Sequence, residues 1–387
     1  MIYINDFGGI CSAGKTPKSI LKNLAKNKPY VESVKCLNKD FVLGRIKESL
    51  PQILELPKHL QTRTNLILYE ALLQIKDSIN EAINKYGSNR VGVVIGTTTA
   101  GVEENFLELE DLDFEMFKKR NSLSNPSEFV AHIFNLHSLR FGVSSACTSG
   151  AKALVCAKRL LDSNLCDAVI CGGVDSLNTL TIFGFESLDI LSNQPSLPFS
   201  KNRSGVNLGE GAAVFLLSKF LLSKLESKIV FKGYGSNNDA FHITKPSDSC
   251  VAQKNMLQQA LKMAKIKPSA LDYINLHGTG TLANDSMESK LVSSVFSGVP
   301  CSSTKSVMGH TLGAAGALEA MVCVELLRQS EKDKVELPLH CFDGEWDTSL
   351  EAINLVKTPQ SAWVKNVASL SFAFGGDNCV LIFGVDK

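Results

Sequence analysis

A cysteine, two histidines and a lysine, each in a turn built of small residues, are the groups in this chain best placed to do chemistry. Cys147 stands in Ser144-Ser145-Ala146-Cys147-Thr148-Ser149-Gly150, just ahead of a stretch with Leu154, Ala157 and Leu161 on one helical face. Small neighbours suit a sharp turn where backbone must approach a ligand closely. A thiol at a helix N-terminus meets unpaired N–H groups and the positive end of the helix dipole, so a lowered pKa is expected. The same N–H groups could stabilise an oxyanion once the sulfur attacks a thioester carbonyl. Taken alone, the pattern fits equally well a small buried thiol beside a helix capped by Ser144 or Ser145.

His277 follows the apolar run Tyr273-Ile274-Asn275-Leu276 and opens Gly278-Thr279-Gly280-Thr281. A histidine just past the end of a buried strand is placed to face a pocket. His310 lies in Ser303-Thr304-Lys305-Ser306-Val307-Met308-Gly309-His310, with Gly313 and Gly316 beyond it. Lys305 by its own context reads as well as a surface charge. A lone histidine is more often structural than catalytic, and that reading is kept for His59, His132, His137, His242 and His340.

Short β-branched runs alternate with helical patterns, so an α/β fold with largely buried strands is expected. Strands are predicted at Val91–Ile95, Ala168–Cys171, Ala212–Leu217, Ile229–Lys232, Tyr273–Leu276, Asn366–Leu370 and Val380–Phe383. Helices are predicted from Thr64 to Tyr86, with Leu66, Tyr69, Leu73, Ile75 and Ile79 inward, from Ser149 to about Ser163, and after His310. The lysine-punctuated stretch Lys219–Lys228 reads as a seam between an N-terminal half, 1–222, carrying the cysteine, and a C-terminal half, 229–387, carrying the two histidines. The charged region Glu103–Asn125 reads as an excursion from the sheet.

Bulk composition narrows the class. Forty basic residues against 39 acidic leave a net charge of +1, so no global field draws the chain to nucleic acid or anionic lipid. The first residues lack the pattern of a secretory signal, and no apolar run is long enough to span a bilayer. Eleven scattered cysteines with no Cys-x-x-Cys pair read as buried thiols in a reducing cytoplasm, and no metal-ligand spacing appears.

Together these segments resemble the elongating β-ketoacyl-acyl carrier protein synthases of the thiolase-like superfamily. The resemblance rests on Ala146-Cys147-Thr148-Ser149-Gly150, Pro198-Phe199-Ser200, Arg203-Ser204-Gly205 with Leu208-Gly209-Glu210-Gly211, and Ser236 to His242. It continues in His277-Gly278-Thr279 with Asn284-Asp285, Ser303-Thr304-Lys305 with Gly309-His310, and Phe374-Gly375-Gly376 with Asn378. It implies an α/β fold in the form of a five-layered αβαβα sandwich with two pseudo-symmetric halves, usually paired as a dimer. The implied reaction is decarboxylative Claisen condensation of an acyl-enzyme with malonyl-acyl carrier protein. The resemblance makes Cys147 the acyl acceptor, His277 and His310 the pair facing the malonyl thioester, and Lys305 the buried lysine that orders them. Thr279 and Thr281 are implied contacts of the pantetheine arm, Phe374 a gate sharing the oxyanion hole with Cys147, and Phe185 a wall of the acyl pocket. Asp285, Glu288 and Glu319 are implied supports of the site. No metal or resident cofactor is implied, since phosphopantetheine travels with the acyl carrier protein.

The chain departs from the commonest pattern at Ala373, usually glycine, and Asp377, usually threonine; Gly280, Leu282 and Ala283 also differ, and Asn65 stands where a basic carrier-contacting residue is frequent. The segments Ser371–Phe374 and Ile274–His277 are similar to ketosynthases of aryl polyene clusters, which implies conjugated acyl chains in place of saturated fatty ones. Three other readings stay open: a non-catalytic ketosynthase-like partner subunit of a heterodimer, a thiolase acting on coenzyme A thioesters, and a structural α/β protein. Retention of Cys147, His277 and His310 weighs against the first, and Lys305 with His310 against the second.

Overall fold

The computed structural model describes residues 1–26, 28–53, 55–108, 113–222 and 228–386. Ten strands form its central sheet: β1 (Tyr3–Cys11), β2 (Val91–Gly96), β3 (Arg140–Val143), β4 (Ala168–Asp175), β5 (Gly211–Ser218), β6 (Ile229–Asn238), β7 (Tyr273–Leu276), β8 (Cys301–Ser303), β9 (Asn366–Ala373) and β10 (Asp377–Val385). Their spatial order is β8-β7-β9-β10-β6-β1-β5-β4-β2-β3. In the first half β3, β2, β4 and β1 point the same way, and β5, lying between β4 and β1, runs antiparallel to both. The second half repeats this: β8, β7, β9 and β6 point the same way, and β10, between β9 and β6, runs antiparallel to both. Each strand thus has a counterpart five places on, and the halves join through the single pairing of Tyr3 with Val230.

The helices that matter here are α1 (Arg63–Leu73), α2 (Lys76–Tyr86), α3 (Asn125–Ile133), α4 (Ser149–Asp162), α5 (Thr179–Ser187), α6 (Val251–Ala264), α7 (Leu282–Val295), α8 (Lys305–Met308) and α9 (Ala315–Ser330). Three apolar cores separate five layers. Side chains of α1, α2 and α3 pack on one face of the first sheet half, and those of α6 and α7 on one face of the second. Between the halves, α4 and α9 share the central core with strands of both. This is the αβαβα sandwich implied by the resemblance. Strands such as β2 and β4 are buried along their whole length because helices cover both faces, which is why they read as continuous apolar runs.

Local sequence explains most elements, and tertiary contacts explain the exceptions. Leu154, Ala157 and Leu161 are fully buried, each leucine worth roughly 1.5–3 kcal/mol of transfer free energy. The single helix expected from Thr64 to Tyr86 is instead two, α1 and α2. The Gln74 amide at their junction accepts from Gly9 N (3.1 Å) and donates to Gly9 O (3.2 Å), docking the break on β1. Its inward face is Ile67, Leu68, Ala71, Leu72, Ile75 and Ile79, whereas Leu73 is exposed. The strands β1, β3 and β8 were not expected. The charged excursion forms helices at Val102–Leu107 and Phe114–Asn121, while 109–112 lie outside the described residues. So does the middle of the seam, 223–227. All eleven cysteines are free. Among the described residues no helix is long and apolar enough to cross a membrane.

Candidate active site

The parallel strands of each half end on the same side, and there the two halves bring their reactive groups together. Cys147 follows β3 in a turn that forces Ala146 to φ +49°, a left-handed conformation costing a non-glycine residue about 1–3 kcal/mol. Ser149 holds the turn: its Oγ accepts from Ser145 N (2.9 Å) and lies 2.6 Å from Ala146 O. Thr148 forms the cap of α4, so Cys147 sits two residues ahead of the first helical residue. Gly150 allows this helix start to press on the loop after His310, since a Cβ there would lie 2.8 Å from Gly313 O.

His310 is fixed through its backbone. Its N–H donates to Asn207 O (2.7 Å) and its carbonyl accepts from Gly209 N (2.9 Å). Gly309, at φ +76° and with no room for a Cβ against Leu208 O, makes that approach possible. The result is a contact of 2.9 Å between His310 Nε2 and Cys147 Sγ, across 163 residues of sequence. The other ring nitrogen, Nδ1, is buried and has no hydrogen-bond partner among the described residues.

His277 meets His310 edge to face, with ring centroids 5.5 Å apart. Glu288 of α7 holds its turn by accepting from His277 N and Gly278 N, both at 2.7 Å. Lys305 is not a surface charge: its side chain is 0% exposed. Its ammonium donates to His277 O (2.6 Å), lies 3.3 Å from His277 Nδ1, and pairs with Glu319 of α9. An ammonium has only donors, so His277 Nδ1 is the acceptor and Nε2 carries the ring proton.

Burial governs the electrostatics. It holds His277 and His310 well below the usual histidine range, and nearby Lys305 adds to the effect, so both rings are neutral at physiological pH. Burial pushes the Cys147 thiol up to about 12, against the opposing pull of Lys305. The lowered thiol pKa expected from the helix terminus is therefore corrected: desolvation outweighs the favourable fields. Cys147 therefore rests as a thiol whose proton has a neutral imidazole within reach. Glu319, Asp285 and Glu288 are raised to about 7, 6 and 8, in each case chiefly by desolvation.

One cavity is lined by Cys147, His277 and His310 together with Thr279, Thr281, Phe185 and Phe374. The two threonine hydroxyls lie 2.9 Å apart, and Phe185 stacks on Phe374 at 5.7 Å between centroids. Asp285, Glu288 and Glu319 do not line it. Asp285 accepts from Phe199 N (2.8 Å) and Gly280 N (3.3 Å) and lies beside Arg203, acting on the surrounding loops. Asn65 is buried and bonded to Leu60 O and Asn125, so that position offers no surface to a carrier. Among the other histidines, His340 is buried, with Nδ1 accepting from Ser303 N and Nε2 3.0 Å from Pro198 O. Among the described residues no three His, Cys, Asp or Glu gather as a metal site.

Two supports went unread in the sequence. Asp175 accepts from Thr97, Thr98 and Thr99 and from Gly313 N (2.7 Å), tying the end of β4 to the loop beyond His310. Its signal was an acid closing an otherwise apolar strand. Asn207, besides receiving His310 N, bonds Ser196 N, Ser192 O and Gln194 O through its side chain.

Family models match along the chain: "Beta-ketoacyl synthase, N-terminal domain" over residues 60–220 and "Beta-ketoacyl synthase, C-terminal domain" over 229–332. The 3-oxoacyl-[acyl-carrier-protein] synthase 2 of Coxiella burnetii is 31% identical over 321 residues, covering 78% of this chain and 76% of that protein. Nodulation protein E of Rhizobium leguminosarum bv. trifolii is 28% identical across 99% of this chain and 98% of its own length. Among solved structures, a chain of the ketosynthase in complex with its chain length factor from Xenorhabdus doucetiae superposes with a TM-score of 0.90 at 34% identity, covering 100% of this chain and 98% of its own.

Proposed function

The chain belongs to the β-ketoacyl synthase family, and from that premise we propose that it joins an acyl group held on Cys147 to malonyl-acyl carrier protein with loss of carbon dioxide. The observation that carries the reading is the 2.9 Å contact of Cys147 Sγ with His310 Nε2, in the same cavity as His277. In the first half-reaction the thiol passes its proton to His310 Nε2 while the sulfur attacks the acyl thioester carbonyl. The carrier's pantetheine thiolate leaves and takes that proton. In the second, the malonyl C–C bond breaks to release carbon dioxide, and its electron pair becomes an enolate. His277 Nε2–H and His310 Nε2–H donate to the enolate oxygen. The enolate carbon then attacks the Cys147 thioester, forming the new bond and expelling the thiolate, which regains its thiol form with one proton drawn from solvent.

His310 must accept a proton in one half-reaction and donate one in the other. Its Nδ1, without a partner among the described residues, supports this, because none of them fixes the tautomer. His277, held by Lys305, serves as donor throughout. Thr279 and Thr281 are placed to bond the pantetheine arm, and Phe374 and Cys147 to supply oxyanion N–H groups. The phosphopantetheine arrives with the carrier. Outermost β3 leaves one edge open, with half-buried Phe141 and Val143, and we assign that edge to pairing with a second subunit, either another copy or a ketosynthase-like mate. For the acyl chain, the Phe185–Phe374 stack supports flat, conjugated substrates of the aryl polyene kind.

A single-turnover reaction of the purified chain with acyl- and malonyl-carrier protein tests the proposal. A β-ketoacyl product is expected. Product that appears only after a mate is added and persists when this chain carries Cys147→Ala would assign this chain the partner-subunit role, and refusal of polyenoyl groups would reject the conjugated-substrate reading.

A further inference from the structure

The turn between β9 and β10 carries Phe374 at its tip, with Gly375 and Gly376 at φ +83° and +75° acting as hinges. Ala373 is the last residue of β9, opposite Asp377. Phe374 lines two spaces at once: the Cys147 cavity and an outer groove bounded by Leu188, Arg203 and Ser286. With Ile190, Thr244 and Thr281, which also line both, its ring forms part of the partition between them. One flank of the turn is bonded within its own half: Gly375 N to Ile243 O (2.7 Å), Asp239 N to Gly376 O (2.8 Å) and Asn238 Nδ2 to Gly375 O (2.7 Å).

The other flank crosses to the opposite half through Asp377. Its carboxylate, 9% exposed by residue, accepts from the Thr148 hydroxyl and from the Lys152 ammonium. Thr148 caps α4 and Lys152 lies in its first turns, so the partition is bonded to the helix that presents the nucleophile. A threonine, usual here in the resembling synthases, could not form an ion pair with Lys152.

We propose that the Asp377–Lys152 pair is a latch: it holds the Phe374 partition against the nucleophile's helix, and passage from the outer groove to Cys147 requires the pair to part. Asp377 is thus a positioning residue, acting through Phe374, and the inference rests on Cys147 being the acyl acceptor. A charge-assisted hydrogen bond of this kind is worth about tenfold in the open population.

Latch strength is read in the full chain from the rate at which Cys147, identified by peptide mass spectrometry, reacts with a bulky fluorescein maleimide relative to small iodoacetamide. Asp377→Asn and Lys152→Gln are each expected to raise that ratio about tenfold, the double variant no further, and Asp377→Glu much less. Asp377→Thr, a residue this turn accommodates in relatives of the resembling kind, serves if Asp377→Asn folds poorly by circular dichroism. Unchanged ratios, additive effects, or equal acceleration of both reagents would overturn the latch. Because neither reagent is a carrier substrate, such a failure is separate from failure of the condensation, which the turnover assay reads.

Discussion

Replacing Lys305 by Met separates what the buried lysine does for folding from what it does for chemistry. The substitution leaves Glu319, whose side chain is 1% exposed, without its cation. Breaking one side of a buried pair costs about 3–5 kcal/mol. Part of that cost can be escaped by protonation, because Glu319 already sits at about 7 and loses the group that pulls it down. A carboxyl raised in the folded state contributes stability below its ordinary value of 4.5 that is lost as pH rises through 7. Urea unfolding should therefore show Lys305→Met more destabilised at pH 8.5 than at pH 6, both chosen as about a pH unit or more either side of neutrality. Adding Glu319→Gln removes the orphaned charge and should restore most of the stability. Turnover should not follow. Without Lys305, His277 Nδ1 loses its donor, the ring is free to take the wrong tautomer, and one enolate donor worth about 3 kcal/mol is lost. Malonyl decarboxylation by the stable double variant should thus fall by roughly 10²-fold. Wild-type decarboxylation in that variant would refute the assignment of Lys305 as the residue that sets the His277 donor.

The remaining predictions concern the imidazoles, the thiol and one carboxyl. His277→Ala and His310→Ala should each lower decarboxylation by about 10²–10³, but only His310→Ala should also slow acylation of Cys147, as followed by stopped-flow release of carrier thiol. Iodoacetamide alkylation of Cys147 should keep rising with pH beyond 10, roughly a unit and a half past an ordinary thiol, because burial places the thiol near 12; a plateau near neutrality would restore the helix-lowered thiolate. Glu288, raised from 4.5 to about 8, contributes stability present below the former and lost as pH rises through the latter. The urea midpoint should accordingly fall from mildly acid to alkaline pH, and Glu288→Gln should flatten that dependence.

What sequence revealed and what it hid divide along the range of the interactions involved. β7 runs from Tyr273 to Leu276 as expected, because an apolar run covered on both faces carries its own signature. The Leu154, Ala157 and Leu161 face of α4 was legible for the same reason. The break between α1 and α2 was not, because it is made by Gln74 gripping the backbone of a distant strand. β3 escaped notice because an edge strand opening with an exposed arginine lacks a buried pattern. Within the site, the turns around Cys147, His277 and His310 were visible as small-residue clusters. The burial of Lys305 was implied by the resemblance and was not legible in its own flanking residues, since its counter-charge comes from Glu319 on a different element. The thiol's environment was misjudged because local reasoning saw the helix terminus and missed the desolvation imposed by three layers of packing around it.

Intact-mass spectrometry of the chain after exposure to acyl-carrier protein, with wild type beside Cys147→Ala, reaches the central claim most directly. The account predicts one acyl adduct per wild-type chain, located on Cys147 by peptide mapping, and none on a folded Cys147→Ala protein. An adduct of undiminished yield on Cys147→Ala would contradict it, because the sulfur beside His310 would then have no part in holding the growing chain.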